Sequence, residues 1–262
     1  MNKIQKIIHY CWFGGKPMPK MLQYCVASWK QHLPDYEIIL WNETNTILDC
    51  EYVKKAFTEK KWAFVSDYVR LKAVYENGGV YLDTDMLLLK PINKFLDNDC
   101  FFVAEHTNSI GVGIFGAVKN HFFVGLCLKN YREEFNKFHA IPGVINRIFR
   151  GHFNYFGKYY EDLYLNELTI YSPNCFYALP YTKYYDIHHY KKYLTPESYG
   201  VHLWYGSWHD YNELVHFRRK EFLSGFKTLW KSFLKGKLFK LQHLKKVIAA
   251  LKDGIVTKNA FK

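Results

Sequence analysis

This chain of 262 residues lacks several common features, and each absence narrows what it can be. Its six cysteines, at positions 11, 25, 50, 100, 127 and 175, form no C-x-x-C pair and no zinc-type spacing. That leaves neither a metal knuckle nor a dithiol redox motif, and the thiols read as reduced groups of a cytoplasmic protein. No window holds the roughly 18 uncharged apolar residues that a membrane-crossing helix needs. The opening "MNKIQKIIHYCWFGG" reads as lacking a secretory signal, because its apolar run is short and is broken by His9 and Gly14. There is no internal repeat and no low-complexity segment. Acids are nearly missing from one end. Phe217 to Lys262 holds 13 Lys or Arg but only Glu221 and Asp253, so this stretch carries +11 of the chain's net +12. The chain is a near-neutral body, 1–216, with a strongly basic appendage, 217–262.

What is present is globular in character, with 49% hydrophobic and 23% charged residues. Aromatics reach 19%, which reads as a Tyr-rich core and surface in preference to a set of stacking platforms. "KIIHYCWFGG" predicts a strand ending in a Gly-Gly turn, and "PKMLQYCVASWKQHLPDY" a helix stopped by Pro34. "YEIILWN" predicts a second strand. A β-α-β opening of this kind points to an α/β fold with a mainly parallel sheet and flanking helices. Residues 60–79 form the clearest helix, with apolar residues at 3-4 spacing and a stop at Asn77, Gly78 and Gly79. "VYLDTDMLLL" reads as one strand, "CFFVAEH" and "VGIFGAVK" as two more, and 121–138 as a helix. Residues 139–198 read as an aromatic region punctuated by Gly and Pro.

The stretch "NGGVYLDTDMLLLKPI" raises the functional question, because two acids interrupt an otherwise buried run. Burying an unpaired carboxylate costs several kcal/mol. On a continuous strand, Tyr81, Asp83 and Asp85 would share one side. Ligand crevices of such sheets lie beyond the carboxyl ends of the strands. Two carboxylates there can hold a divalent cation, whose charge offsets their repulsion, and oxygen ligands suit Mg²⁺ or Mn²⁺. The bland alternative is a strand end with both acids in solvent. Asp67 and Arg70, three residues apart on one face of the preceding helix, add context. On an apolar helix such a pair needs partners.

At these residues the chain resembles a known family. "IIHYCWFGG", "WAFVSDYVRLKAVYENGGVYLDTDMLLLKP" and the late "GSW" look like the D-x-D sugar-binding glycosyltransferases of family 32. They are also similar in motif to glucosylating-toxin cores. The resemblance implies a GT-A fold, a nucleotide-sugar donor (UDP-linked in the leading reading), Mn²⁺ or Mg²⁺, and retention of anomeric configuration. It implies that Trp12 stacks on the nucleotide base and that Asp67 and Arg70 contact donor-sugar and ribose hydroxyls. Asp83 would touch ribose and metal, Asp85 would ligate the metal, and Tyr81 would line the donor site. From "VHLWYGSW", Ser207 and Trp208 would close over the diphosphate, and His202 would add a metal ligand. For Trp12 and Tyr81, core packing is the competing explanation, and for His202 a structural histidine.

The mechanism so implied has the metal and Arg70 neutralise a leaving diphosphate while an acceptor hydroxyl attacks from the same face. The reaction expected is transfer of a hexose or N-acetylhexosamine to a glycan acceptor in surface polysaccharide or lipopolysaccharide synthesis. Galactose, glucose and N-acetylglucosamine all stay open. Two rivals are a glycosyltransferase acting on a protein, and a non-catalytic nucleotide-sugar-binding protein. In the appendage, apolar residues at 222, 226, 229 and 233, then 238, 241, 244, 248 and 251, predict two amphipathic helices. Lys fills much of their other side. One reading is an anionic membrane surface at the inner face of a bacterial plasma membrane, which suits a lipid-linked acceptor. The other is a helix pair packed on the body. No nucleic-acid reading motif accompanies the charge.

Overall fold

The computed structural model describes residues 3–133, 137–206, 211–234 and 241–261. The chain divides into two compact units, Met1–Ala178 with Thr195–His202, and Leu179–Leu194 with Leu203–Lys262. The sequence boundary at 216/217 falls inside a helix of the second unit.

The first unit is built on a seven-stranded sheet. Strands β1 (Ile7–Cys11) and β2 (Glu37–Trp41) flank helix α1 (Lys20–His32) in the chain and pair in parallel. After α2 (Glu51–Thr58), helix α3 (Trp62–Asn77) delivers β3 (Gly79–Leu82), which lies parallel to β1 on its other side. α3 is buried on nearly every side, from Val65 to Val74, which is why its apolar pattern is broader than one stripe. It ends at two glycines with positive φ, +69° at Gly78 and +97° at Gly79. A Cβ on Gly79 would stand 2.7 Å from the Ile7 carbonyl oxygen, so only glycine lets β3 leave the helix against β1.

Beyond β3 the sheet turns mixed. Its order is β2-β1-β3-β6-β5-β8-β7, with β5 (Cys100–His106) and β6 (Ser109–Ala117) as a hairpin. β7 (Leu163–Tyr164) and β8 (Thr169–Tyr171) complete the edge. Three of the six pairings are parallel and three antiparallel. The main core lies between this sheet and α2, α3, α4 (Phe122–Glu133) and α5 (Ile141–Phe153).

Two sequence expectations are corrected here. "VYLDTDMLLL" is not one strand. It is β3, a turn, and β4 (Met86–Leu88), which leaves the large sheet to pair antiparallel with β9 (Gly200–His202). The Met86 amide donates to the Asp83 carbonyl at 2.9 Å, closing Asp83–Thr84–Asp85–Met86 as a turn. A turn gives the acids the partners that a strand buried on both faces would deny them. β4 is held from the other side by α1, whose Trp29 indole donates to the Met86 carbonyl at 2.6 Å and whose Ser28 hydroxyl accepts from the Leu88 amide. The second correction is α5, which falls in a stretch read as irregular. Pro142 and Gly143 look like punctuation, but they occupy the first helical turn, where a proline costs nothing.

In the second unit, α6 (Glu213–Arg218), α7 (Phe222–Leu234) and α8 (Leu241–Val256) gather around Phe217, which is fully buried with Val247 and Ala250. α7 and α8 cover residues 222–233 and 241–251 of the two amphipathic helices expected for the appendage, residue 238 lies outside the described residues, and α6 packs against both helices. Arg219, one residue past α6, donates from its guanidinium to the carbonyls of Tyr184, Trp204 and Tyr205 and lies over the Tyr211 ring.

Candidate active site

The turn between β3 and β4 places its two acids at the carboxyl end of β3. The Asp83 amide is anchored to the Gly113 carbonyl of β6 at 2.8 Å. Pairing of β4 with β9 sets Met86 opposite His202, and so puts the imidazole beside Asp85. His202 Nε2 lies 3.1 Å from Asp85 Oδ1 and 3.7 Å from Asp83 Oδ2. One donor atom from each of Asp83, Asp85 and His202 falls within 4.8 Å of the other two. Gly113 makes room for them: a Cβ there would stand 3.0 Å from the His202 ring, 3.0 Å from the Tyr177 hydroxyl and 3.1 Å from an Asp83 oxygen.

The helix before the turn supplies the counter-charge. Arg70 Nη1 is 3.1 Å from Asp83 Oδ1, and Nη2 is 3.3 Å from Asp67 Oδ1. Nη1 also donates to the Val112 carbonyl at 3.0 Å, and Nε to the Ser66 carbonyl. Tyr81 donates its hydroxyl to Asp83 Oδ1 at 3.0 Å, and the guanidinium carbon sits 4.6 Å from the centre of its ring. Asp67 and Arg70 are both buried. This is the partnered arrangement that an acid and a base on an apolar helix require.

The electrostatics divide the acids. Burial would push the Asp83 carboxyl up, but Arg70 and then His202 hold it below the ordinary carboxylate value. Burial raises the Asp67 carboxyl to about 7, against the pull of the same arginine and with a further push from Asp83. The amide of Ile141, in the first turn of α5, tempers that rise. Burial would lower His202, but Asp85 and Asp83 overcome it and carry the imidazole to about 10. Without a metal, a proton on His202 therefore supplies the positive charge between the carboxylates. Two carboxylates and an imidazole around a gap left by a glycine fit a divalent cation.

The structure thus gathers Asp67, Arg70, Tyr81, Asp83, Asp85 and His202 into one cluster. Trp12 lies in the loop after β1, half-buried, with its indole donating to the Lys16 carbonyl at 2.7 Å. Ser207 and Trp208 lie outside the described residues. Three neighbours escaped the sequence reading. The Tyr177 hydroxyl accepts from the Gly113 amide at 2.9 Å, and its ring centre is 5.3 Å from that of His202. Glu105, near the end of β5, is held by the Ser109 hydroxyl at 2.9 Å, and burial raises its pKa. Cys11, at the end of β1, feels Arg70 and Asp83, but burial pushes its thiol up to about 12, which makes it a poor nucleophile. No local spacing marks these three. Cys11 and Glu105 reach the cluster on strands of the sheet, and Tyr177 from a loop.

An α/β sheet with an acid-pair turn at a strand's carboxyl end, closed by an imidazole from a distant strand, is the arrangement that the resemblance to D-x-D glycosyltransferases of GT-A fold implies. Comparison with known families goes one step further. Residues 19–102 match the family described as "Glycosyltransferase sugar-binding region containing DXD motif", and residues 116–216 the "Alpha 1,4-glycosyltransferase conserved region". Together the two matches take in Asp67, Arg70, Asp83, Asp85 and His202, and they relate the chain to the D-x-D and α-1,4-glycosyltransferases. It is 28% identical over 159 residues to an alpha-1,4-N-acetylglucosaminyltransferase of Homo sapiens, covering 57% of this chain and 45% of that one. It is 25% identical over 152 residues to the Homo sapiens lactosylceramide 4-alpha-galactosyltransferase, covering 53% and 41%. The chain therefore spans less than half the length of these two relatives. Among solved structures it is similar to the glycosyltransferase GlyE of Streptococcus pneumoniae TIGR4, at 11% identity and TM-score 0.48 over 89% of this chain and 64% of that one. It is also similar to the galactosyltransferase LgtC, at 12% identity and TM-score 0.45 over 92% and 99%.

Proposed function

We propose that this protein transfers a hexose or N-acetylhexosamine from a UDP-sugar to a hydroxyl of a glycan acceptor, with retention of configuration at the anomeric carbon. The observation that carries this reading is the convergence of Asp83, Asp85 and His202 within 4.8 Å, with Arg70 locking Asp83 from behind. Asp85, Asp83 and His202 would hold Mn²⁺ or Mg²⁺, whose charge stabilises a departing diphosphate. Arg70 directs its recorded bonds to protein acceptors, so we assign it to orienting Asp83 and Asp67 in place of neutralising the leaving group directly. Asp67 and Tyr81 shape the donor-sugar side of the cluster, and Trp12 meets the base. We assign Ser207 and Trp208 to closing over the diphosphate.

In the bond-making step the acceptor oxygen attacks the anomeric carbon on the face from which the diphosphate leaves. The bond from that carbon to the phosphate oxygen breaks, and the departing phosphate oxygen takes the acceptor's proton. The step needs no nucleophile from the protein. The α-1,4 linkage in the relatives' names supports retention from an α-linked donor. The name of the second relative gives it a lipid-borne acceptor, lactosylceramide, which favours a lipid-linked glycan here over a protein. We place that glycan in surface polysaccharide or lipopolysaccharide assembly, at the inner face of a bacterial membrane. Calorimetric titration of UDP tests the core of this reading. Tight binding is expected only with Mn²⁺ or Mg²⁺ present, and is expected to be lost in Asp85→Asn. Equal binding with and without metal would contradict it.

A further inference from the structure

The last two helices carry more apolar surface than their packing uses. Inward, α7 turns Phe222, Gly225 and Leu229 towards the Phe217 cluster, and α8 turns Val247, Ala250 and Leu251. A second apolar stripe on each helix faces solvent. On α7 it is Leu223, Trp230, Phe233 and Leu234, with Leu223 80% and Trp230 62% exposed, while Phe226 lies at its edge with its ring centre 5.1 Å from that of Phe217. On α8 it is Leu241, Leu244, Ile248 and Ile255, with Leu241 69% exposed. Their 3-4 spacing makes each set one continuous stripe. Beside each stripe stand two exposed lysines, Lys227 and Lys231 on α7, Lys245 and Lys252 on α8. At about 100° per residue, the buried arc, the exposed apolar arc and the lysine arc follow in the same rotational order on both helices.

The sequence left two readings of this appendage, packing or surface binding, and each helix is built for both. Large apolar side chains grouped in solvent mark a binding surface. No described helix is long and apolar enough to cross a membrane. The partner must therefore be apolar where the stripes lie and anionic at their border. We propose that α7 and α8 lie in the interface of an anionic lipid bilayer, with the stripes at the acyl boundary and the lysines among the headgroups. Trp230 suits that depth, since an indole places an apolar ring and a polar N–H at one boundary. A second copy of the chain is a poor match, because each copy brings +11 in this segment. Nucleic acid offers phosphates but no apolar cover for Leu241, Leu244 and Ile248. This inference does not depend on the sugar-transfer reading.

Vesicle flotation of the full-length protein tests it. The protein is expected to float with vesicles of phosphatidylcholine containing phosphatidylglycerol, to stay behind with phosphatidylcholine alone, and to lose binding as salt rises. Leu223→Ser with Trp230→Ser is expected to cut the bound fraction at least about tenfold, and Leu244→Ser with Ile248→Ser to do the same. All four side chains are exposed, so the thermal melt should not move. Lys227, Lys231, Lys245 and Lys252→Gln should abolish the preference for the anionic lipid. Absence of flotation with anionic vesicles overturns the proposal. So does wild-type flotation by both serine double variants. Dimerisation or RNA binding that depends on Leu223 and Trp230, without vesicle binding, would assign the surface to another partner.

Discussion

His202 Nε2 lies 3.1 Å from Asp85 Oδ1, although the two residues come from distant parts of the chain and meet only because β9 pairs with β4. The carboxylates raise the imidazole to about 10, so at neutral pH it is protonated when no metal is present. In the metal-free protein this charge stabilises the fold fully below the unfolded value of 6.5, and the contribution is lost as pH rises towards about 10.

The same proton competes with a metal. A metal-ligating histidine must be neutral, so Mn²⁺ affinity is expected to rise about tenfold per pH unit between pH 6.5 and 8.5. Titration calorimetry at three pH values reads this directly. Substituting His202→Gln should lower the affinity and flatten the slope. A flat profile in the wild-type protein would remove His202 from the ligand set.

Asp67 makes a stability prediction in the same direction with pH, over a lower range. Its folded pKa of about 7 lies above the ordinary 3.8, so the folded state keeps a proton that the unfolded state releases. Its contribution therefore falls as pH rises from about 4 to about 7 and stays low above that. Asp67→Asn keeps the shape without the charge. At pH 8 it is expected to be more stable than the parent by an amount on the order of 1–4 kcal/mol, and to lose activity. Denaturant melts at pH 5 and pH 8 check it, and a gain of equal size at both would refute the pH argument.

Arg70→Lys keeps a positive charge but loses the planar fork that reaches Asp83, Asp67, Val112 and Ser66 together. Loss of a partner that orients a metal ligand costs about 10- to 100-fold in metal affinity or activity. Near-normal metal binding by the lysine variant would show that Asp83 does not depend on Arg70.

Gly254 sits inside α8, where alanine is intrinsically better by about 1 kcal/mol. A Cβ there would fall 2.0 Å from the Phe217 carbonyl oxygen. Gly254→Ala should therefore lower the melting temperature despite its higher helix propensity. An unchanged or raised melt would mean that α8 does not pack on α6 this closely.

The sequence disclosed the parts of the site that lie close together in the chain. Asp67 and Arg70 share a helix face because they are three apart, and Gly78 and Gly79 mark where the helix must stop. The acid pair was visible but wrongly drawn as part of a strand, because period-2 reasoning does not see that β4 finds its hydrogen bonds in another sheet. Cys11 and Glu105 stay hidden because strand pairing sets their nearness to the cluster, and Tyr177 because it meets Gly113 from a loop 64 residues away. α5 was missed because Pro142 and Gly143 carry the same letters in a turn and in a helix's first residues. In α7 and α8 the periodicity was legible, but which half of each apolar stripe would be covered depended on α6, too short to stand out.

The most direct test of the central claim is slow donor hydrolysis. The protein is incubated with UDP-galactose, UDP-glucose and UDP-N-acetylglucosamine, with Mn²⁺ or with chelator, and release of UDP is followed. The account predicts release from at least one donor with Mn²⁺, none with chelator, and loss of release in Asp85→Asn. Release that persists in chelator and in Asp85→Asn, or a wild-type protein that binds Mn²⁺ yet hydrolyses none of the three, would contradict it.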